Sequence, residues 1–155
     1  AGILHADIEI IGIGIDRSPE ALAVASANAV GLGLADRVQM TRADWTCDGW
    51  DEGLGQFDLI LSNPPYVEDA ADLAPSVHAF EPAGALYAGP DGLDDYRLLI
   101  PQLVRLLAKG GVALIEIGAT QARSVAAIAQ SCGFASTLHY DLADRPRVLE
   151  LTLLA

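Results

Sequence analysis

Apolar positions along the chain recur in two rhythms. Residues 8–15 form a nearly continuous β-branched run, as expected of a strand buried in a parallel sheet, and Asp16 ends it. Ser18-Pro19-Glu20 then reads as a helix cap, a proline at the first helical position and an acidic first turn. An alanine-rich helix is predicted over 21–30, stopped by Gly31 and Gly33. Residues 37–41 predict a short strand, 49–56 a turn-rich connection and 57–62 a second apolar strand. The helical period returns over 93–108, with Gly110-Gly111 as its stop, and gives way to a buried strand over 112–117. A helix over 120–131 stopped by Gly133 follows, then strands over 134–141 and 148–153 joined through a turn at 143–146. Residues 67–91 hold several prolines and glycines without a period, which predicts a functional excursion or an irregular hairpin.

Strand–helix–strand alternation implies an α/β fold with a mostly parallel sheet. The link between the last two strands is too short for a crossover, so one C-terminal strand must run antiparallel. With 155 residues, 52% of them hydrophobic and 19% charged, the chain suits one globular domain over 1–155, and no repeat or internal boundary is visible. No apolar stretch reaches membrane-spanning length, and no basic-then-apolar leader opens the chain. Ala1 is not an initiator methionine, so a fragment or a processed chain is expected. Cys47 and Cys132 give no disulfide framework and fit free thiols in the cytoplasm. His5, His78 and His139 form no ligand pair, so no metal is expected. The net charge of −12, from nine basic and twenty-one acidic residues, offers little to neutralise phosphates. No direct nucleic-acid contact is expected; a small molecule or a basic protein partner fits better.

Ligands of open parallel sheets bind beyond the carboxyl ends of the strands. Three polar groups fall there: Asp16, Asp44 and Asn63. A carboxylate at Asp16 can accept from both ribose hydroxyls of an adenosine, whether of S-adenosylmethionine (SAM) or of NAD. Asp44 can accept from an adenine amino group, with Trp45 on the ring face. Asn63-Pro64-Pro65-Tyr66 is the sharpest signal. Methylating an amide or aromatic amine requires its planar nitrogen to be gripped by its hydrogens and held in line with the donor. The Asn63 side-chain oxygen and the Pro64 carbonyl supply two acceptors. Pro64 and Pro65 stiffen the backbone and remove competing N–H groups, and Tyr66 can pack on the planar group. Such a site works by orientation and by stabilising charge on nitrogen.

The run F-D-L-I-L-S-N-P-P-Y-V at 57–67 resembles motif IV of the class I amino-methyltransferases. With F-E-P-A-G-A-L at 80–86 and G-P-D-G-L at 89–93, the chain resembles the release-factor glutamine methyltransferases. That resemblance implies a Rossmann-like class I methyltransferase domain using SAM and releasing S-adenosylhomocysteine. It implies cofactor contacts at Asp16, Asp44, Trp45 and Asn63. It further implies that Asn63, Pro64, Pro65 and Tyr66 handle the glutamine of a Gly-Gly-Gln loop in a peptide chain release factor, and that Phe80-Glu81-Pro82 supports the pocket, with Glu81 at the substrate. The family's first strand, glycine-rich loop and N-terminal helical domain have no match. Gly12-Ile13-Gly14-Ile15 runs into Asp16-Arg17 and reads as strand, so the first strand of the sheet is expected to be missing. Two rival readings are N6-adenine methylation of a flipped base in DNA or RNA and a non-catalytic adenosine-binding module of the same fold. The acidic charge and the 80–86 segment weigh against the first. Asp91, Asp94 and Asp95 read as a helix-starting acidic turn, Arg145 and Arg147 as surface charges, and Ser62 has no hydrolase turn around it.

Overall fold

Residues 10–71 and 82–154 are described in a computed structural model. The chain divides into two compact units, Ala1–Glu52 and Gly53–Ala155. In the first unit, β1 (Gly12–Asp16) pairs in parallel with β2 (Val38–Arg42), and α1 (Pro19–Gly31) connects them. The start of α1 follows from Ser18, whose extended backbone lets its Oγ accept from the Ala21 N–H at 3.1 Å, with Pro19 next. Its end closes through the Leu32 and Gly33 N–H groups, which return to the Asn28 and Val30 carbonyls. The strand expected from residue 8 begins later: Ile10 and Ile11 precede it and are exposed, and 8 and 9 lie outside the described residues. Gly12 and Gly14 lie within β1, as strand rather than as a phosphate- or sulfonium-cradling loop.

The second unit is a four-stranded sheet in the order β3-β4-β6-β5, formed by β3 (Phe57–Ser62), β4 (Leu107–Glu116), β5 (Phe134–Tyr140) and β6 (Pro146–Leu153). β3 and β4 are parallel, and β6 runs antiparallel to both β4 and β5, the reversal that the short final link requires. Helices α2 (Asp94–Leu106) and α3 (Ala122–Ser131) cover one face. Alternation along the strands turns Ala113, Ile115, Leu149 and Leu151 into that layer. There they meet Tyr96, Ile100 and Leu103 of α2 and Val125 of α3, all at most 2% exposed. Each of the valine, leucine and isoleucine side chains contributes about 1.5–3 kcal/mol by leaving water.

The expected helix over 93–108 stops at Leu106, and the strand expected from 112 begins at Leu107. Leu107 is extended and pairs with Phe57, while Val112 pairs with Leu59. Residues 108–111 therefore bulge out of the ladder, and Gly110 supplies the positive φ of +82° that the bulge needs. The glycine pair marks a break inside a strand rather than a helix stop. The described ends of the segment after β3 meet in parallel, not as the antiparallel arms of a hairpin. Val67 and Tyr87 form a parallel bridge, with Val67 N–H donating to Leu86 and Ala88 N–H donating to Val67. Residues 72–81 lie outside the described residues. No described helix is long and apolar enough to cross a membrane.

Candidate active site

In the second unit, Asn63 directly follows β3 at its carboxyl end. Ser62 pairs with Ile115, so Asn63 and Glu116 occupy the next positions at the carboxyl ends of two parallel strands. Leu61, Ser62, Asn63, Leu114, Glu116 and Val148 line an open depression. Leu61 pairs with Leu114 and Glu116 with Val148, which sets these four on the sheet face opposite the helices. Pro64 is fully buried while Asn63 is exposed. The loop is thus pinned by an apolar ring beside a side-chain amide that faces solvent. With no N–H at Pro64 or Pro65, the turn has no backbone donors at these positions, and of the two predicted acceptors the Asn63 amide is the one on an exposed residue.

The Tyr66 carbonyl accepts from the Gln121 side chain at 3.0 Å. Behind it, the Tyr96 hydroxyl donates to the Glu116 carbonyl at 3.0 Å. Burial pushes the Tyr96 phenol well above its ordinary pKa, and the nearby Tyr66 adds to the shift. Glu116, Gln121 and Tyr96 were not singled out by motif. The available signal was a glutamine at a helix start, where a short capping side chain is usual. Arg147 differs from a plain surface charge: its guanidinium lies 3.5 Å from the Glu116 carboxylate on the wall of the depression and is about one-third exposed. Arg145, 61% exposed and paired with Asp141 at 3.0 Å, is a surface charge as expected. Asp91 and Asp94 both bind Arg97 around the first turn of α2. Glu81 lies outside the described residues.

The first unit brings the other predicted residues together at one end of its two strands. Asp16 pairs with Arg42, and the Ala43 N–H donates to the Asp16 carbonyl, which places Asp44 and Trp45 just beyond. Asp16 Oδ1 accepts from the Ser18 N–H at 2.7 Å. Asp44 Oδ1 accepts from both the Thr46 hydroxyl at 2.7 Å and the Thr46 N–H at 2.9 Å. The Thr46 hydroxyl, then its N–H, and the charge of Arg17 hold the Asp44 carboxyl below the usual aspartate range. In both acids the local turn uses Oδ1, and a carboxylate keeps further lone pairs on its second oxygen.

No family model matches the chain. Over 126 residues, 79% of the chain, it is 46% identical to the release factor glutamine methyltransferase of Caulobacter vibrioides, of which it covers 42%. Over 145 residues, 92% of the chain, it is 43% identical to the release factor glutamine methyltransferase of Cereibacter sphaeroides, of which it covers 51%. The chain therefore spans about half the length of these relatives or less. Its fold matches that of a methyltransferase from Pyrococcus furiosus with a TM-score of 0.64 at 14% identity, over 90% of this chain and 60% of that one. At that identity the likeness is one of fold: the α/β class that the element pattern implied, and the Rossmann-like methyltransferase architecture that the family resemblance implied.

Proposed function

From its similarity to release factor glutamine methyltransferases, we propose that this chain is the catalytic part of such an enzyme. The reaction we assign is SAM plus a protein glutamine giving N5-methylglutamine, S-adenosylhomocysteine and a proton: the sulfur–methyl bond breaks as the nitrogen–methyl bond forms, and the displaced amide hydrogen leaves to solvent. The partner is a peptide chain release factor, met in the cytoplasm during translation termination. The observation that carries this reading is the loop after β3, where the exposed Asn63 amide sits beside the buried Pro64 ring.

The donor set suits the adenosine part of the cofactor. Asp16 retains acceptor capacity for ribose hydroxyls, and Asp44 retains it for an adenine amino group. Trp45 follows as the aromatic surface. When bound, the cofactor supplies an electrophilic methyl on a positively charged sulfur. The remaining work belongs to the chain. The Asn63 side-chain oxygen and the Pro64 carbonyl accept the two hydrogens of the glutamine amide and hold its nitrogen in one orientation. As positive charge builds on that nitrogen, the same two oxygens stabilise it. Tyr66 is assigned to pack on the planar group, and Leu61, Leu114 and Val148 offer an apolar wall beside Asn63.

The test is incubation of the protein with SAM and a release factor, followed by peptide mass spectrometry. The expected result is one added methyl, located on the glutamine side-chain nitrogen. Methylation of adenine in place of glutamine, or cofactor binding with no methyl transfer to any release factor, overturns the assignment.

A further inference from the structure

Apart from the Tyr96 hydroxyl, Gln121 carries the one buried polar side chain among the described residues. It stands at the start of α3, a position usually given to a short side chain that can cap its own helix, yet it makes no capping bond. Its amide turns away from α3. Nε2 donates to the Tyr66 carbonyl at 3.0 Å and to the Gly92 carbonyl at 3.1 Å, and Oε1 accepts from the Gly118 N–H at 3.0 Å. Both N–H groups of the amide are thereby used. Tyr96 has one hydroxyl hydrogen and gives it to the Glu116 carbonyl at 3.0 Å, the shorter of its two contacts, with Gln121 Oε1 at 3.5 Å. The surroundings leave no slack. A Cβ on Gly92, whose φ is +66°, would overlap the Tyr66 carbonyl and lie 2.7 Å from the Gln121 nitrogen. The turn after β3, the entry to α2 and the turn after β4 thus converge on a single side chain.

We infer that Gln121 is the positioning residue of the acceptor loop, holding the Tyr66 carbonyl so that Asn63 and Pro64 face the substrate amide in a fixed direction. This rests on the reading of Asn63 and Pro64 given above. Two consecutive prolines cannot be tethered through N–H groups. The loop therefore needs other handles: the buried Pro64 ring on one side and, on the other, the Tyr66–Val67 peptide, whose carbonyl accepts from Gln121 and whose N–H donates to Leu86 at 2.8 Å. Residue 121 touches neither reacting group, and it acts through the backbone that carries them. Misplacing a gripped nitrogen by about 1 Å costs on the order of 100-fold in rate.

Two variants of the protein as the cell makes it decide the matter. Gln121→Met keeps length and removes all three hydrogen bonds. Gln121→Glu keeps shape and the acceptor for Gly118, and loses both N–H donors when ionised. With each variant shown to be folded by circular dichroism at the assay temperature, kcat for glutamine methylation should fall about 100-fold, with SAM affinity unchanged. The activity of Gln121→Glu relative to wild type should rise as pH falls, because the protonated acid regains one O–H donor for the Tyr66 carbonyl. A merely structural role would lower the melting temperature and leave kcat per folded molecule intact, and that result overturns the inference. If Gln121→Met does not fold, the Glu variant alone decides: a flat activity ratio across pH sinks the idea. Wild type that methylates no glutamine removes the functional reading itself, a separate and recognisable failure.

Discussion

The two units hold their candidate residues by different means. In Gly53–Ala155 the site loop is mounted on a packed core: Pro64 is buried, and the adjoining sheet is sealed by Tyr96, Ile100, Ile115 and Leu151. In Ala1–Glu52 only Ala29 is buried among the described residues, while Val24, Val30 and Leu32 are exposed. Asp16 and Asp44 are instead fixed by hydrogen bonds to residues two positions onward. The contrast matches the tasks proposed for each. Orienting a planar amide for attack tolerates little displacement, so its loop needs rigid support. Accepting a hydrogen bond from a ribose or an adenine needs an available carboxylate, which a local turn can supply.

The largest effect that probes this contrast is on turnover. Asn63→Ala should lower kcat for glutamine methylation by about 100- to 1,000-fold, the usual cost of losing one preorganised charge-stabilising group. SAM affinity, to which Asn63 is one of four proposed contacts beside Asp16, Asp44 and Trp45, should change far less by calorimetry. A joint loss of both would mean that the two tasks are not divided in this way.

Stability offers the next test. Ile115→Ala empties a fully buried site and should cost about 2–5 kcal/mol in chemical denaturation. Val24→Ala, at a position 62% exposed on α1, should change stability by no more than about 0.5 kcal/mol. Comparable costs at both positions would show that the first unit also depends on close packing.

What could be read in the sequence divides along the same line. The start of α1 was legible because Ser18, Pro19 and Glu20 act within one turn. The carboxyl-end placement of Asp16, Asp44 and Asn63 was legible because strand ends are written in local chemistry. The bulge in β4 was not: Gly110-Gly111 after an apolar helix looks the same whether it stops the helix or kinks a strand, and only the pairing of Leu107 with Phe57 decides. Nor was Gln121, whose partner Tyr66 lies 55 residues away. A side chain whose value comes from joining distant segments leaves no periodic or spacing signal.

A smaller effect is expected on cofactor binding. Asp16→Asn removes the charge behind the hydrogen bonds proposed to the ribose and should weaken SAM by about 10-fold. The kcat at saturating SAM should be retained, since Asp16 is assigned no part in gripping the acceptor.

The smallest effect is a displaced acid limit. The Thr46 hydroxyl and N–H hold the Asp44 carboxyl below the usual aspartate range. A group lowered in this way stays ionised as pH falls through the ordinary range, and its contribution disappears only when pH reaches the lowered value. If Asp44 accepts from the adenine amino group, its share of SAM affinity should persist into that more acidic region. Thr46→Val deletes the largest of the lowering contributions and keeps the side chain's shape, so the acid limb of SAM affinity should move upward in pH. Calorimetric titrations of both proteins across the acid range isolate this shift, because Asp16 and every other acid are common to the two. Superimposable acid limbs would show that Asp44 does not touch the cofactor, leaving its bonds to Thr46 as the closure of a turn and the first unit with Asp16 as its proposed ribose ligand.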